Sequence, residues 1–135
     1  MNKILGLLLI HLFFLSAAAF AQLHFVQLSD THEIYEGEKT TGVGLARAVH
    51  KVREAQAQEP STLFLHSGDF LSPSLASRTF QGQDVMQALN ASGIDVATLG
   101  NHEFDYGPEL LAQRLKEARF PVVCANVVDA KTGEL

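Results

Sequence analysis

The sequence has no tryptophan and only one cysteine, Cys124, among its 135 residues. A single thiol cannot form an internal disulfide, so the hydrophobic core must hold the fold together. Cys124 lies in the apolar run FPVVCANVV without a basic neighbour, which favours a small buried side chain over a nucleophile. The patterns GxxxxGK[ST] and GxGxxG are missing too, which excludes a P-loop and a dinucleotide-binding fingerprint.

Positive charge is also scarce. Ten Lys and Arg residues stand against 15 Asp and Glu residues, which gives a net charge of -5. This balance argues against a basic surface for a nucleic acid polymer, and an anionic substrate would need local positive charge, such as a metal ion. A hydrophobic fraction of 47% with 19% charged residues is typical of a soluble globular domain.

The most apolar part of the sequence lies at its start. Lys3 precedes an apolar run over residues 4–15, and the small-residue pattern AFA follows at 19–21. This arrangement predicts a cleaved signal peptide over residues 1–21 and a periplasmic or secreted product without stable membrane association. The alternative is an uncleaved anchor, because residues 4–21 are just long enough to span a bilayer.

Four short apolar segments predict strands, and the first three end in polar residues: LHFVQLSD (23–30), TLFLHSGD (62–69), IDVATLGN (94–101) and FPVVCANVV (120–128). Amphipathic helical patterns separate them, over residues 41–59, 82–93 and 107–121. This alternation predicts an α/β fold with a mainly parallel sheet and flanking helices.

The helical patterns carry their own boundary signals. The first helix is expected to bury one apolar stripe: Val43, Ala46, Val49 and Val52. Gly93 marks the end of the second helix and Pro108 the start of the third. The connections 32–41 and 70–82 are long and directly follow polar strand ends, which suits a functional site.

Polar clusters follow three successive predicted strands, as SDTH, SGDF and GNHEFD. Because parallel strands point the same way, Asp30, Asp69 and Asn101 should emerge at one edge of the sheet. Asp30 and His32 are two residues apart, which lets both face the same side. Crowded carboxylates would repel one another, so a divalent metal is the simplest partner. Oxygen and imidazole donors without thiolates suit Mn, Fe or Zn, and Mg or Ca less well.

These three blocks resemble the calcineurin-like metallophosphoesterases. The longer stretch GNHEFDYG, with TGVGLARA upstream and FPVVCANV downstream, is similar to the secreted bacterial 5′-nucleotidase branch. The resemblance covers residues 22–128 and implies part of an α/β/β/α sandwich. It also implies two divalent metal ions, of which Asp30 and His32 would bind the first, Asp69 would bridge both and Asn101 would bind the second.

The resemblance further implies the catalytic residues. His102 would face the substrate phosphate, and Asp105 would orient His102 by accepting its other N–H. The reaction would be hydrolysis of a phosphoester, most simply a nucleotide of the 5′-nucleotidase type, by a metal-bound hydroxide without a covalent intermediate. The substrate would be a small nucleotide or another phosphoester.

The family also uses histidines well downstream of the asparagine, and its nucleotidase branch has a separate domain that recognises the nucleoside. Neither is found in this sequence. Residues 22–135 are therefore expected to be the amino-terminal part of a metallophosphoesterase catalytic domain, inactive alone and completed by a missing carboxy-terminal region. The alternatives are a 2′,3′-cyclic nucleotide phosphodiesterase, a related ester hydrolase, or a non-catalytic metal-binding remnant.

Several polar neighbours of the motifs have simpler explanations. Glu103 is interpreted as a structural hydrogen-bonding residue rather than a metal ligand. His66 is interpreted as a packed or solvated strand histidine rather than a residue that supports the ligands. Glu33 stands where the family often has a small or amide residue, which leaves the contacts of the first loop open. Loop chemistry explains Ser72 and Ser74 without a nucleophilic role.

Overall fold

The computed structural model describes residues 22–34 and 44–133 of the chain. The predicted signal peptide over residues 1–21 lies outside these ranges, as does Val43 of the predicted apolar stripe. Within the described ranges, no helix combines the length and the apolar character needed to cross a membrane.

Three short parallel strands form one sheet in the order β1, β2, β3: Phe25–Leu28, Leu63–His66 and Val96–Ala97. The register pairs Phe25 with Leu63 and Leu65 with Val96. Helices separate the strands along the chain, as parallel pairing requires. The predicted α/β fold with a parallel sheet is confirmed.

The fourth predicted strand, over residues 120–128, is wrong as a full strand. It forms a single parallel bridge between Ala97 and Val122. The Ala97 N–H donates to Pro121 O at 3.0 Å, and the Val123 N–H donates to Ala97 O at 2.9 Å. Pro121 has no N–H to extend the ladder, and β3 ends at Ala97, so pairing stops after one step.

The described residues contain four α-helices, α1 to α4: Leu45–Gln58, Leu75–Phe80, Gln83–Ser92 and Pro108–Glu117. The predicted end at Gly93 and the predicted start at Pro108 are both confirmed. Helix α2 was not predicted and lies in the long connection 70–82. A capping box starts it, because Ser74 and Ser77 each accept the other's backbone N–H through their hydroxyl oxygens.

The buried stripe of α1 differs from the prediction at one position. Leu45, Val49 and Val52 are buried, but Ala46 is exposed. The larger Leu45 lies four residues before Val49 and takes the inward position, and Ala46 is turned about 100° away from it.

The core lies between the helices and one face of the sheet. Its most completely buried apolar side chains are Val52, Phe64, Phe70, Leu71, Val85, Met86, Leu89 and Ala97. Along β2, Phe64 and His66 are buried, whereas Leu63 is 39% exposed. The helices therefore fix one face of the sheet, and with it the positions of the loops at the carboxyl ends of the strands.

Candidate metal-binding active site

The loops that follow the three strands lie side by side at one edge of the sheet. The Asp30 N–H donates to Gly68 O at 3.2 Å, which joins the first loop to the second. The Thr98 N–H donates to His66 O at 2.9 Å, which joins the third to the second. The structure thus brings together the three segments that carry Asp30, Asp69 and Asn101.

Glu103 fixes the second and third loops with its buried carboxylate. Its side chain is fully buried and accepts four backbone N–H groups. Oε2 accepts from Asp69 at 2.8 Å and from Gly100 at 2.6 Å. Oε1 accepts from Phe70 at 2.7 Å and from Leu71 at 3.1 Å. This confirms the interpretation of Glu103 as a structural residue, and it explains why a buried carboxylate is tolerated here.

Two glycines allow these loops to touch. Gly68 has a φ of 97°, and a Cβ atom there would overlap the backbone of Leu99 and Gly100. A Cβ atom at Gly100 would overlap the side chain of Asp69. Any other residue at either position would push the second and third loops apart.

The two candidate aspartate ligands share an unusual backbone conformation. Asp30 has a φ of 56° and Asp69 a φ of 58°, in the left-handed region that Asp tolerates better than most residues. The Asp69 Oδ1 atom accepts the backbone N–H of His102 at 2.9 Å. This bond sets the Asp69 carboxylate against the segment that carries Asn101 and His102. Backbone strain of this kind concentrates at functional sites.

The donor chemistry of the site fits a divalent metal ion. The His32 Nδ1 atom is buried and has no hydrogen-bond partner among the described residues. A buried imidazole nitrogen without a partner destabilises the folded state unless a ligand binds it. With Asp30, Asp69 and Asn101, the set offers oxygen and nitrogen donors without a thiolate. Within residues 22–34 and 44–133, however, no three His, Cys, Asp or Glu side chains form a ready-made metal cluster.

His102 and Asp105 form a hydrogen-bonded pair, as predicted. The Nδ1 atom of His102 lies 2.7 Å from Oδ2 of Asp105. This hydrogen bond raises the pKa of the His102 imidazole above its ordinary value. With Nδ1 bonded to the carboxylate, the Nε2 atom is left to meet a substrate.

Ser72 is a third member of this hydrogen-bonded group, and the sequence did not predict it. Its buried hydroxyl donates to the same Oδ2 atom of Asp105. Hydrogen bonds from Ser72, and then from His102, lower the pKa of Asp105. The contact joins residues 33 positions apart, so no pattern within the segment SPS (72–74) predicts it.

His66 is buried at the end of β2, with 2% of its surface exposed. Its Nδ1 atom accepts the Gly68 N–H at 3.1 Å, and its Nε2 atom lies 2.6 Å from the Thr31 hydroxyl. Phe70 packs edge-on against the ring, with centroids 5.3 Å apart. Burial lowers the pKa of His66 to about 4, although the charges of Asp30 and Asp69 act in the opposite direction. The histidine is packed, as favoured from the sequence, but its bond to Thr31 was not predicted.

Comparisons with known proteins agree with these motifs. Residues 23–131 match the family model of calcineurin-like phosphoesterases. A 2′,3′-cyclic-nucleotide 2′-phosphodiesterase/3′-nucleotidase of Haemophilus influenzae is 34% identical over 126 residues, which cover 83% of this chain and 19% of that protein. Human 5′-nucleotidase is 40% identical over 85 residues, which cover 62% of this chain and 15% of that protein.

A solved structure shares the fold. The calcineurin-like phosphoesterase YfkN of Bacillus subtilis is similar with a TM-score of 0.72 and 30% identity. The similarity covers 84% of this chain and 39% of that one. The chain therefore spans less than half of this structure and about a fifth or less of the two curated relatives.

Proposed function

Because the chain belongs to the calcineurin-like phosphoesterase family, we propose that it is part of a metal-dependent phosphoester hydrolase of the 5′-nucleotidase type. The observation that carries this proposal is the contact between Asp69 and His102. The Asp69 Oδ1 atom accepts the backbone N–H of His102 at 2.9 Å, so a candidate metal ligand is bonded to the residue whose imidazole is the candidate proton donor. This bond would help to hold both residues at one site for a phosphoester.

The proposed cofactors are two divalent metal ions, with Mn, Zn or Fe favoured by the donor types. Asp30 and His32 would hold the first, Asp69 would contact both, and Asn101 would hold the second. When bound, such ions neutralise phosphate charge and activate water. The unpartnered Nδ1 atom of His32 supports this assignment.

The chain's own residues would position the phosphate and handle the proton. Asp105 accepts from Nδ1 of His102, which directs Nε2 towards the substrate. The hydrogen bond to Asp105 raises the pKa of His102 and so stabilises the imidazolium, whose Nε2–H would donate to a phosphoryl oxygen or to the leaving group. Ser72 would hold Asp105 in place from the buried side.

Residues 22–135 are proposed to be the amino-terminal part of a longer catalytic domain. The small share of each curated relative that the chain covers, 19% and 15%, supports this. In this proposal, the remaining metal ligands and the nucleoside pocket belong to the rest of the enzyme. The chain alone should then show little or no turnover.

A second candidate activity is hydrolysis of 2′,3′-cyclic nucleotides. The alignment with the relative of that name covers 83% of this chain, whereas the alignment with human 5′-nucleotidase covers 62%. Both reactions break a phosphoester bond and need the same ligands at this edge of the sheet. The substrate would therefore be decided by residues elsewhere in the enzyme.

Metal content and hydrolysis, measured together, test the proposal. Elemental mass spectrometry would count metals in the 135-residue chain and in a longer form of the protein. AMP, 2′,3′-cyclic AMP and p-nitrophenyl phosphate would then be offered to both. Two metals and turnover in the longer form, with weak, substoichiometric metal binding and no turnover here, would support it. No metal and no turnover in either form would leave a non-catalytic remnant.

Export is a separate proposal, supported by Lys3, the apolar run and the AFA pattern at 19–21. Amino-terminal sequencing of the protein from a bacterial periplasm should give Gln22 as the first residue. Recovery of the intact leader in the membrane fraction would favour the anchor instead.

A further inference from the structure

We propose that His66 is a positioning residue that fixes the loop carrying Asp30 and His32 against the loop carrying Asp69. The expected effect on metal binding rests on the proposed function, but the hydrogen bonds of His66 can be tested without metal. His66 would touch neither substrate nor metal, and it would act through Thr31.

The two ring nitrogens of His66 face different loops. Nδ1 accepts the Gly68 N–H at 3.1 Å, so this nitrogen carries no proton. A neutral ring must then carry its proton on Nε2, which donates to the Thr31 hydroxyl at 2.6 Å. Thr31 stands between the two candidate ligands of the first loop. One imidazole thus spans the first and second loops.

The backbone of His66 reaches the third loop as well. Its carbonyl oxygen accepts the Thr98 N–H at 2.9 Å, just before the segment that holds Asn101. His66 is thereby bonded to all three segments that carry candidate ligands. Its own position is fixed by burial and by the edge-on contact with Phe70.

This arrangement complements the one built by Glu103. The Glu103 carboxylate ties the second loop to the third and makes no hydrogen bond to the described residues of the first. Among side chains of the described residues, His66 supplies the hydrogen bond from the second loop to the first. Without it, only backbone bonds would join these segments: Ser67 N–H to Leu28 O at 2.9 Å at the strand ends, and the longer bond from Asp30 N–H to Gly68 O at 3.2 Å.

The sharpest test changes Thr31 and leaves His66 in place. Thr31→Val keeps the shape of the side chain and removes the hydroxyl, and Thr31→Ser restores it. Thr79→Val is the matched control, because Thr79 is exposed on α2 and its hydroxyl bonds only within that helix. Each variant of the full 135-residue chain would be titrated with Mn²⁺, and its melting temperature would be recorded.

We expect Thr31→Val to bind Mn²⁺ about tenfold or more weakly, since loss of an outer hydrogen bond to a ligand typically costs that much. Thr31→Ser and Thr79→Val should bind as the unmodified chain does, and Thr31→Val should melt at a somewhat lower temperature, because the His66 Nε2–H loses its acceptor. Equal Mn²⁺ affinity in Thr31→Val and the unmodified chain would overturn the proposal.

Two metal-free readouts separate this inference from the proposed function. Nitrogen-15 NMR should show His66 as the Nε2–H tautomer, and Thr31→Val should speed amide exchange at residues 30–32. If the unmodified chain bound no Mn²⁺ yet showed both effects, the proposed function would fail and the positioning role would stand. The Nδ1–H tautomer, or unchanged exchange in Thr31→Val, would overturn the positioning role.

Discussion

Glu103 and Asp105 are carboxylates two residues apart, yet they occupy opposite environments. Glu103 is fully buried and accepts four backbone N–H groups, whereas the side chain of Asp105 is 40% exposed and bonds to two other side chains. The inner layer of the site, Glu103 and His66, holds loops together. The outer layer, His102 and Asp105, faces the side where a substrate would arrive. The comparison separates residues that build the site from residues that would act in it.

The largest effect should come from removing the inner carboxylate. Glu103→Ala leaves four buried backbone donors without a partner, so the free energy of unfolding should fall by about 3 to 5 kcal/mol. Chemical denaturation measures this loss directly. Glu103→Gln, which keeps one acceptor oxygen, should lose less. Asp105→Ala is the outer-layer counterpart and should lower the free energy of unfolding much less, because it removes bonds to two side chains rather than to four backbone groups. An equal loss in both variants would contradict the distinction between the layers.

Removing the outer imidazole should affect rate rather than stability. His102→Ala should lower turnover by roughly 10²-fold to 10⁴-fold in a longer, active form of the protein, because a general acid is lost. Metal content should be unchanged, because His102 is not a proposed ligand. Asn101→Ala gives the opposite pattern, with weaker binding of the second metal. Full activity in His102→Ala would refute the assignment of the pair.

The two histidines should respond to acid in opposite ways. The pKa of His66 falls from 6.5 to about 4 on folding, so the folded state favours the neutral ring. The contribution of neutral His66 to the free energy of unfolding is complete above pH 6.5 and is lost as the pH falls towards 4. The raised pKa of His102 gives the reverse sign, with stability present at low pH and lost as the pH rises through that pKa.

Urea denaturation at a series of pH values tests this difference. The unmodified chain and His102→Ala should both lose stability between pH 6.5 and 4. In His66→Gln that loss should be smaller, whatever its starting stability. A chain whose stability stayed flat across this interval would contradict the burial of a neutral His66.

The smallest effect is expected at Ser72, whose buried hydroxyl donates to Asp105 of the outer layer. Ser72→Ala removes one hydrogen bond from Asp105, so turnover in an active form should fall by about 2-fold to 10-fold. Ser74→Ala is the control, since Ser74 caps α2 and does not touch Asp105. That variant should lower the melting temperature without a specific loss of rate. Equal rates in Ser72→Ala and the unmodified enzyme would show that Ser72 does not support Asp105.

The sequence predicted the parts of this site that are local. Each polar strand end, the helix boundary at Pro108 and the pair of His102 and Asp105 involve only residues that lie a few positions apart in the sequence. The bonds of His66 to Thr31 and of Ser72 to Asp105 join residues 35 and 33 positions apart, so no local pattern contains them. The predicted fourth strand failed for a related reason. Its length depends on the short partner β3, which its own apolar composition does not reveal.

The central claim is that the carboxyl edge of this sheet binds divalent metal through Asp69 and its neighbours. The most direct test is a Mn²⁺ titration of the 135-residue chain, followed by electron paramagnetic resonance, beside the variant Asp69→Asn. Asn tolerates the left-handed backbone of this position and can still accept the His102 N–H, so only the charge is lost. The account predicts binding in the unmodified chain and at least tenfold weaker binding in Asp69→Asn. Equal affinities, or no binding by the unmodified chain, would contradict it.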